Sequence, residues 1–163
     1  MQKFFFLALI IALPLAYFLY VYEGDFTLDS WTTSSENPTV RIGNTPVRVE
    51  IADTLEERAI GLSGRDEIGP TAGMLFIFDE SDYHRIWMKD MRISIDVIWI
   101  DENLTVVDIT ENLRTDTYPR LFEPATPVRF IIETNNNYVS TFGIKVGDMV
   151  SIPKEHIPED LRN

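Results

Sequence analysis

The chain has 163 residues, 45% of them hydrophobic, with 26 acidic side chains, 14 basic ones and no cysteine. That length suits one ordinary domain with an appendage, and the missing cysteine excludes disulfides and thiolate metal sites. A formal net charge of -12 argues against nucleic acid as a partner and against docking on anionic headgroups, since both need Lys and Arg to meet phosphate.

The first element in chain order is apolar. Residues 4–22 contain no charge, and Pro14 is the one residue among them that is not hydrophobic. As a helix rising about 1.5 Å per residue the run is about 28 Å long, close to the roughly 30 Å hydrocarbon core of a bilayer. Lys3 precedes it, whereas Glu23, Asp25 and Asp29 follow it. That asymmetry predicts a cytoplasmic N-terminus and an extracytoplasmic remainder, periplasmic or extracellular. The run exceeds the roughly 7–15 apolar residues of a signal peptide, and its exit through Tyr20-Val21-Tyr22-Glu23 has no small-residue cleavage site. Residues 1–22 are therefore expected to be an uncleaved single-pass anchor and the chain's membrane contact; cleavage would instead release a secreted protein.

Residues 23–38 follow, with four acids, no base, a Thr-Thr-Ser-Ser cluster and a closing Asn37-Pro38, and read as an acidic flexible linker. Beyond it, residues 39–152 carry the periodicities of a folded domain, and 153–163 form a C-terminal tail. Val40-Arg41-Ile42 and Val47-Arg48-Val49-Glu50-Ile51 alternate apolar and charged positions around a Gly43-Asn44-Thr45-Pro46 turn, which predicts a hairpin. The period then changes. Thr54-Leu55-Glu56-Glu57 is a capping-box pattern opening a short helix, expected to run to about Leu62 and stop near Gly64. Further strands are expected at 73–78, 84–89, 95–101, 105–109 and 128–133, with Asp101-Glu102-Asn103-Leu104 as a tight hairpin and a last strand at 148–152. The stretch 111–127 has no clear period and reads as a long surface loop. Many short strands with one short helix predict an α+β class: mostly antiparallel β, a small partly closed barrel, preceded by the N-terminal transmembrane helix.

Several of these segments together resemble one family. They are A-D-T-L-E-E-R-A-I-G-L ending at Leu62, G-M-L-F at 73–76, W-M-K at 87–89, and Ile95-Asp96 followed by Trp99-Ile100-Asp101. F-I-I-E ending at Glu133 and G-I-K-V-G-D at 143–148 complete the set. In that order they resemble the prokaryotic family catalogued as domain of unknown function number 192, although Asp90-Met91 replaces the Asn-Thr that commonly follows W-M-K there. The resemblance implies a compact β-rich fold, often behind an export signal or anchor, and brings no established activity with it.

Four residues stand out as a candidate ligand-binding patch: Trp87, Lys89, Asp96 and Glu133. Trp87 and Lys89 leave one side of a strand together, an aromatic plate beside an ammonium that suits a sugar ring or an anion. The plainer alternative makes Trp87 core, with the Lys89 stem lying along it. Asp96 shares a strand face with Ile98 and Ile100. If it points inward it needs a partner, and Lys89, Arg58 or Arg85 could supply the charge. Glu133 ends an apolar run and offers a second carboxylate, so Asp96 and Glu133 could also hydrolyse a glycan if their carboxyls lay about 5–10 Å apart in one cleft. The two histidines, His84 and His156, lack ligand spacing, so no metal and no cofactor is expected. Ser63 in Gly-Leu-Ser-Gly lacks the nucleophile-elbow pattern. The residues thus predict an extracytoplasmic binding or accessory module for an envelope glycan or envelope protein. Its rivals are a carboxylate-based hydrolase and a purely structural domain.

Overall fold

The computed structural model describes residues 37–162; the expected anchor at 4–22 and the linker up to residue 36 lie outside the described residues. Among the described residues no helix is long and apolar enough to cross a membrane. The domain is mostly strand. Its elements are β1 (Thr39–Ile42), β2 (Thr45–Ala52), α1 (Leu55–Ile60), β3 (Ala72–Asp82), β4 (Ile86–Trp87), β5 (Ile95–Ile100), β6 (Val106–Leu113), β7 (Leu121–Phe122), β8 (Val128–Asn135), α2 (Tyr138–Phe142) and β9 (Val150–Ser151).

Seven strands form one sheet in the order β6-β5-β8-β3-β2-β1-β9, and β4 pairs with β7 in a separate two-stranded ribbon. Every neighbour pair is antiparallel except β2 and β3, which run parallel with Val49 opposite Gly73 and Ile51 opposite Leu75. Parallel pairing needs a crossover, and α1 is part of the connection. The large sheet curls into a half-barrel, and its two outer strands meet at one end. There Val106 N donates to Asp148 O at 2.9 Å and Val150 N to Leu104 O at 2.7 Å.

Both faces of the sheet are covered. One carries a core of Val40, Val47, Leu75, Ile98, Phe130 and Ile132, closed over by Tyr138 and Val139 of α2. The other carries Phe76, Val97, Trp99 and Ile131, packed with Leu62 and Met88 and with Ile86 of the ribbon. This explains why Ile95–Ile100 and the middle of β8 are apolar on both alternations: all six residues of β5 are buried. Trp99 is fully buried, and its Nε1 donates to Thr110 Oγ1 at 3.0 Å, which satisfies its one polar atom.

Several boundaries differ from the expected ones, each for a local reason. The strand expected at 105–109 extends to Leu113, past Asn112 at φ 52°, a left-handed backbone that interrupts the period-two pattern. The expected strand 84–89 shortens to two residues in the ribbon, and its partner β7 lies in the stretch read as a loop. A second helix, α2, joins the one that was expected. Residues 153–162 form two 3-10 turns whose Ile157 and Leu161 pack on the first core, and Asp160 pairs with the buried Arg129 at 2.8 Å.

Candidate functional site

The capping box at the start of α1 is present: Glu57 N donates to Thr54 Oγ1, and the Glu57 carboxylate accepts from Thr54 N. None of the six helical residues is buried. The helix is held instead by its ends, and the far end reaches the sheet through Gly61. That glycine has φ 50° and ψ -133°, and a Cβ there would sit 3.3 Å from the Phe76 ring and 3.9 Å from Glu133 Oε2. Glycine therefore lets the end of α1 approach the Phe76 ring and the Glu133 carboxyl.

A cleft opens where α1 meets the ribbon. It holds a cavity of about 90 Å³, with Glu133, Phe76 and Phe78 from the sheet, Arg58 from α1, and Arg85 and Trp87 from the ribbon side among its lining. Glu133 is 5% exposed, and its carboxyl has no hydrogen-bond or ion-pair partner among the described residues. Its cross-strand neighbours are Met74 on β3 and Val97 on β5, both apolar. Removal from water penalises the charged form, so burial pushes the carboxyl up to about 8 and leaves it mainly protonated at neutral pH. Arg58 donates through Nη1 to Ile77 O at 2.7 Å and lies over the Phe78 ring, 5.2 Å from its centroid. Arg85 is exposed and touches Glu123 at only 3.9 Å. With Glu133 neutral, the charges lining the cleft are both positive, on a protein of net charge -12.

Trp87 is 46% exposed at the cleft mouth rather than core. Lys89 Nζ lies 5.8 Å from its ring centroid, and Tyr118 meets it edge-on at 6.2 Å. Lys89 lies beyond the end of β4, in a turn, yet its ammonium stays near the Trp87 ring; it does not line the cleft itself. The loop that follows α1 is tied to this segment, with Ser63 Oγ donating to Lys89 O at 3.0 Å.

Asp96 is elsewhere. It is fully buried and opposite Thr134, whereas Val97 is opposite Glu133, so the two carboxyls occupy adjacent register positions and point to opposite faces of the sheet. Among the described residues no cation meets Asp96. Its Oδ1 accepts from Asn112 N at 2.8 Å and its Oδ2 from Val139 N at 3.0 Å. Two backbone amides therefore satisfy the inward carboxylate, where an Arg or Lys was expected. The first amide belongs to the left-handed residue of β6, and the second is in the first turn of α2, whose own N-cap Asn137 makes no side-chain bond. Asp96 is a helix cap supplied from a distant strand. Trp87 and Glu133 are brought together; Lys89 stands beside them, and Asp96 is excluded.

Arg58, Gly61, Phe76, Phe78 and Arg85 complete the cleft without having been singled out for it. Arg58 and Arg85 drew notice only as partners for Asp96. Phe76 and Phe78 are large aromatics of G-M-L-F-I-F, but the closeness of Phe76 to Gly61 and of Phe78 to Arg58 is set by the fold and not by the sequence pattern. Among the described residues no group of three or more His, Asp or Glu could hold a metal ion.

Comparison with known proteins agrees with the fold. The chain is 29% identical over 103 residues to a UPF0127 protein of Thermococcus gammatolerans and spans 65% of that relative's length, with 63% of its own covered. It is 34% identical over 105 residues to UPF0127 protein PYRAB11210 of Pyrococcus abyssi, covering 63% of this chain and 84% of that one. A crystal structure from Sinorhizobium meliloti 1021, described as a suspected transcription regulator, superposes with a TM-score of 0.67 at 28% identity, over 70% of this chain and 92% of that one. The sequence model of domain of unknown function number 192, described as "Uncharacterized ACR, COG1430", matches residues 38–152, and the chain belongs to that family.

Proposed function

We propose that this protein is a membrane-anchored, extracytoplasmic binding module whose cleft between α1 and the β4–β7 ribbon captures an envelope glycan. The observation that carries the reading is Glu133: a carboxyl 5% exposed, unpartnered among the described residues, and opening into a cleft with a half-exposed tryptophan at its mouth. The carboxyl faces the cleft with no protein group bound to it among the described residues, so a ligand seated there can take up its hydrogen bonds. Trp87 adds an apolar plate of the kind on which a sugar ring stacks. The address rests on residues 4–22 and on the charge asymmetry around them.

A binding role is favoured over glycan hydrolysis because Glu133 is the one carboxyl lining this cleft among the described residues, and two-carboxylate glycoside hydrolysis needs a second. A regulator acting on nucleic acid, as the name of the Sinorhizobium relative suggests for that protein, is disfavoured here by the net charge of -12. A neighbouring envelope protein is the alternative occupant, and the same experiment separates the two. Full-length protein and its Trp87→Ala variant are cross-linked in cells and the adducts divided into glycan and protein fractions. The expected result is glycan adducts that Trp87→Ala depletes while thermal stability stays at the wild-type value. Capture unchanged by the substitution refutes the site; adducts confined to protein refute the ligand class. Carbonate extraction and protease accessibility test the anchor, which predicts a membrane-retained chain cleavable from outside.

A further inference from the structure

Resting on the glycan-binding reading, we infer that the captured sugar is acidic: its ring lies on Trp87 and its carboxylate enters the cleft between Arg58, Arg85 and the Glu133 carboxyl. The first argument is charge. Arg58 from α1 and Arg85 ahead of β4 line the cavity, and Glu133 is the one acid that joins them. The neighbours of Glu133 on β3 and β5 are Met74 and Val97, and Phe76 lines the same cavity; none of the three titrates. Glu50, one strand further on β2, is already bound to Arg65 through two contacts, one of them at 2.7 Å. Asp96 faces the other side of the sheet, and Lys89 stands over the indole, outside the cleft. An ammonium entering here would therefore meet two guanidiniums, while a carboxylate would meet two cations, of which Arg85 is loosely shared with Glu123 at 3.9 Å.

The second argument is hydrogen bonding. A protonated Glu133 is a donor without an acceptor, and an ionised carboxylate is the acceptor that makes its strongest bond. Guanidinium groups suit the same planar ligand. The third is size. A cavity of about 90 Å³ has room for a carboxylate and its attached carbon, and the exposed indole of Trp87 lies at its mouth.

The test uses the full-length chain in detergent micelles, titrated with glucuronate, galacturonate, glucose, glucosamine and glucose 6-phosphate. Binding is read by calorimetry and by the fluorescence change that Trp87→Ala removes. Both uronates are expected to bind at least about tenfold more tightly than glucose, a margin of one charge-assisted hydrogen bond. Their affinity should fall about tenfold per pH unit above about 8, where Glu133 ionises and repels the ligand. Glu133→Gln, which keeps a donor but cannot ionise, should retain uronate binding and lose that pH dependence. Arg85→Gln should weaken the uronates by a larger factor than glucose. Glucose binding as tightly as the uronates overturns the carboxylate inference and leaves the glycan reading intact. A preference for glucosamine or glucose 6-phosphate overturns it likewise. No response to any sugar by a protein that melts normally overturns both.

Discussion

Asp96 offers the sharpest test of how this fold is held together. Its carboxylate accepts two backbone amides, Asn112 N at 2.8 Å and Val139 N at 3.0 Å, inside a fully buried site. Asp96→Ala strands both donors away from water. A hydrogen bond to a charged group contributes about 1.5–3 kcal/mol, so the pair amounts to about 3–6 kcal/mol. Set against the roughly 5–15 kcal/mol typical of a domain, that loss removes much of the stability. Asp96→Asn keeps one acceptor and turns an amide donor toward the other N–H, for a cost of about 2–3 kcal/mol. Urea denaturation measures both. At a slope of about 2 kcal/mol/M, the alanine variant should lower the midpoint by about 1.5–3 M. Hydrogen exchange adds specificity, because the Asn112 and Val139 amides should lose protection before the rest of the core. A loss below about 1 kcal/mol for Asp96→Ala, or unchanged exchange at those two amides, would show that the carboxylate does not secure β6 and α2.

Glu133 predicts a stability that depends on pH in the opposite sense to an ordinary ion-paired acid. Its carboxyl is raised from 4.5 to about 8, so between those values the folded state holds a proton that the unfolded state has released. Stability is therefore fully present below about pH 4.5 and lost as pH rises to about 8, by about 5 kcal/mol in total, and Glu133→Gln should remove this contribution across a series of urea titrations. A stability difference between wild type and the Glu133→Gln variant that stays constant between about pH 5 and pH 9 would contradict the burial argument. Gly73→Ala places a Cβ against the Glu133 carbonyl and 3.3 Å from Thr134 Cγ2, where β3 and β8 pair, and should cost about 2–3 kcal/mol in thermal or urea unfolding. Thr54→Ala removes the acceptor for Glu57 N and should cost about 1 kcal/mol by the same measurement, with the cleft's ligand response weakened because α1 forms one wall.

How much of this was legible follows from how local each signal is. The β1–β2 hairpin, the Thr54–Glu57 cap and the apolar parts of β3, β5 and β8 lie in short stretches whose periodicity or side-chain chemistry acts on near neighbours, whereas β3 runs four residues past the expected end at 78, to Asp82. The turn from Gly143 to Asp148 is equally local: Gly143 and Gly147 have φ of 68° and 96°, and Lys145 N donates to Asp148 Oδ2. The helix α2 left no such trace, because the group that caps it is Asp96, on β5. The one parallel pairing, β2 with β3, was not legible, because it depends on the crossover through α1 rather than on the pattern of either strand. The cleft was half visible. Trp87 is marked by its spacing from Lys89 and Glu133 by its place at the end of an apolar run, whereas Arg58 and Phe76 belong to the cleft only through the approach of α1 at Gly61.

The opposed faces of Asp96 and Glu133 also bear on how the chain finds its alignment during folding. Strand β5 and the middle of β8 carry apolar residues on both alternations, so hydrophobic patterning alone distinguishes neighbouring pairings only weakly there. In the native pairing Asp96 is opposite Thr134 and Val97 opposite Glu133. A slip of a single residue in one direction would set Asp96 directly against Glu133, two acids side by side in a dry interior, and would part Asp96 from both of its amides. The two carboxyls therefore act as a checksum on the central ladder, penalising the misalignment that the greasy residues around them would tolerate.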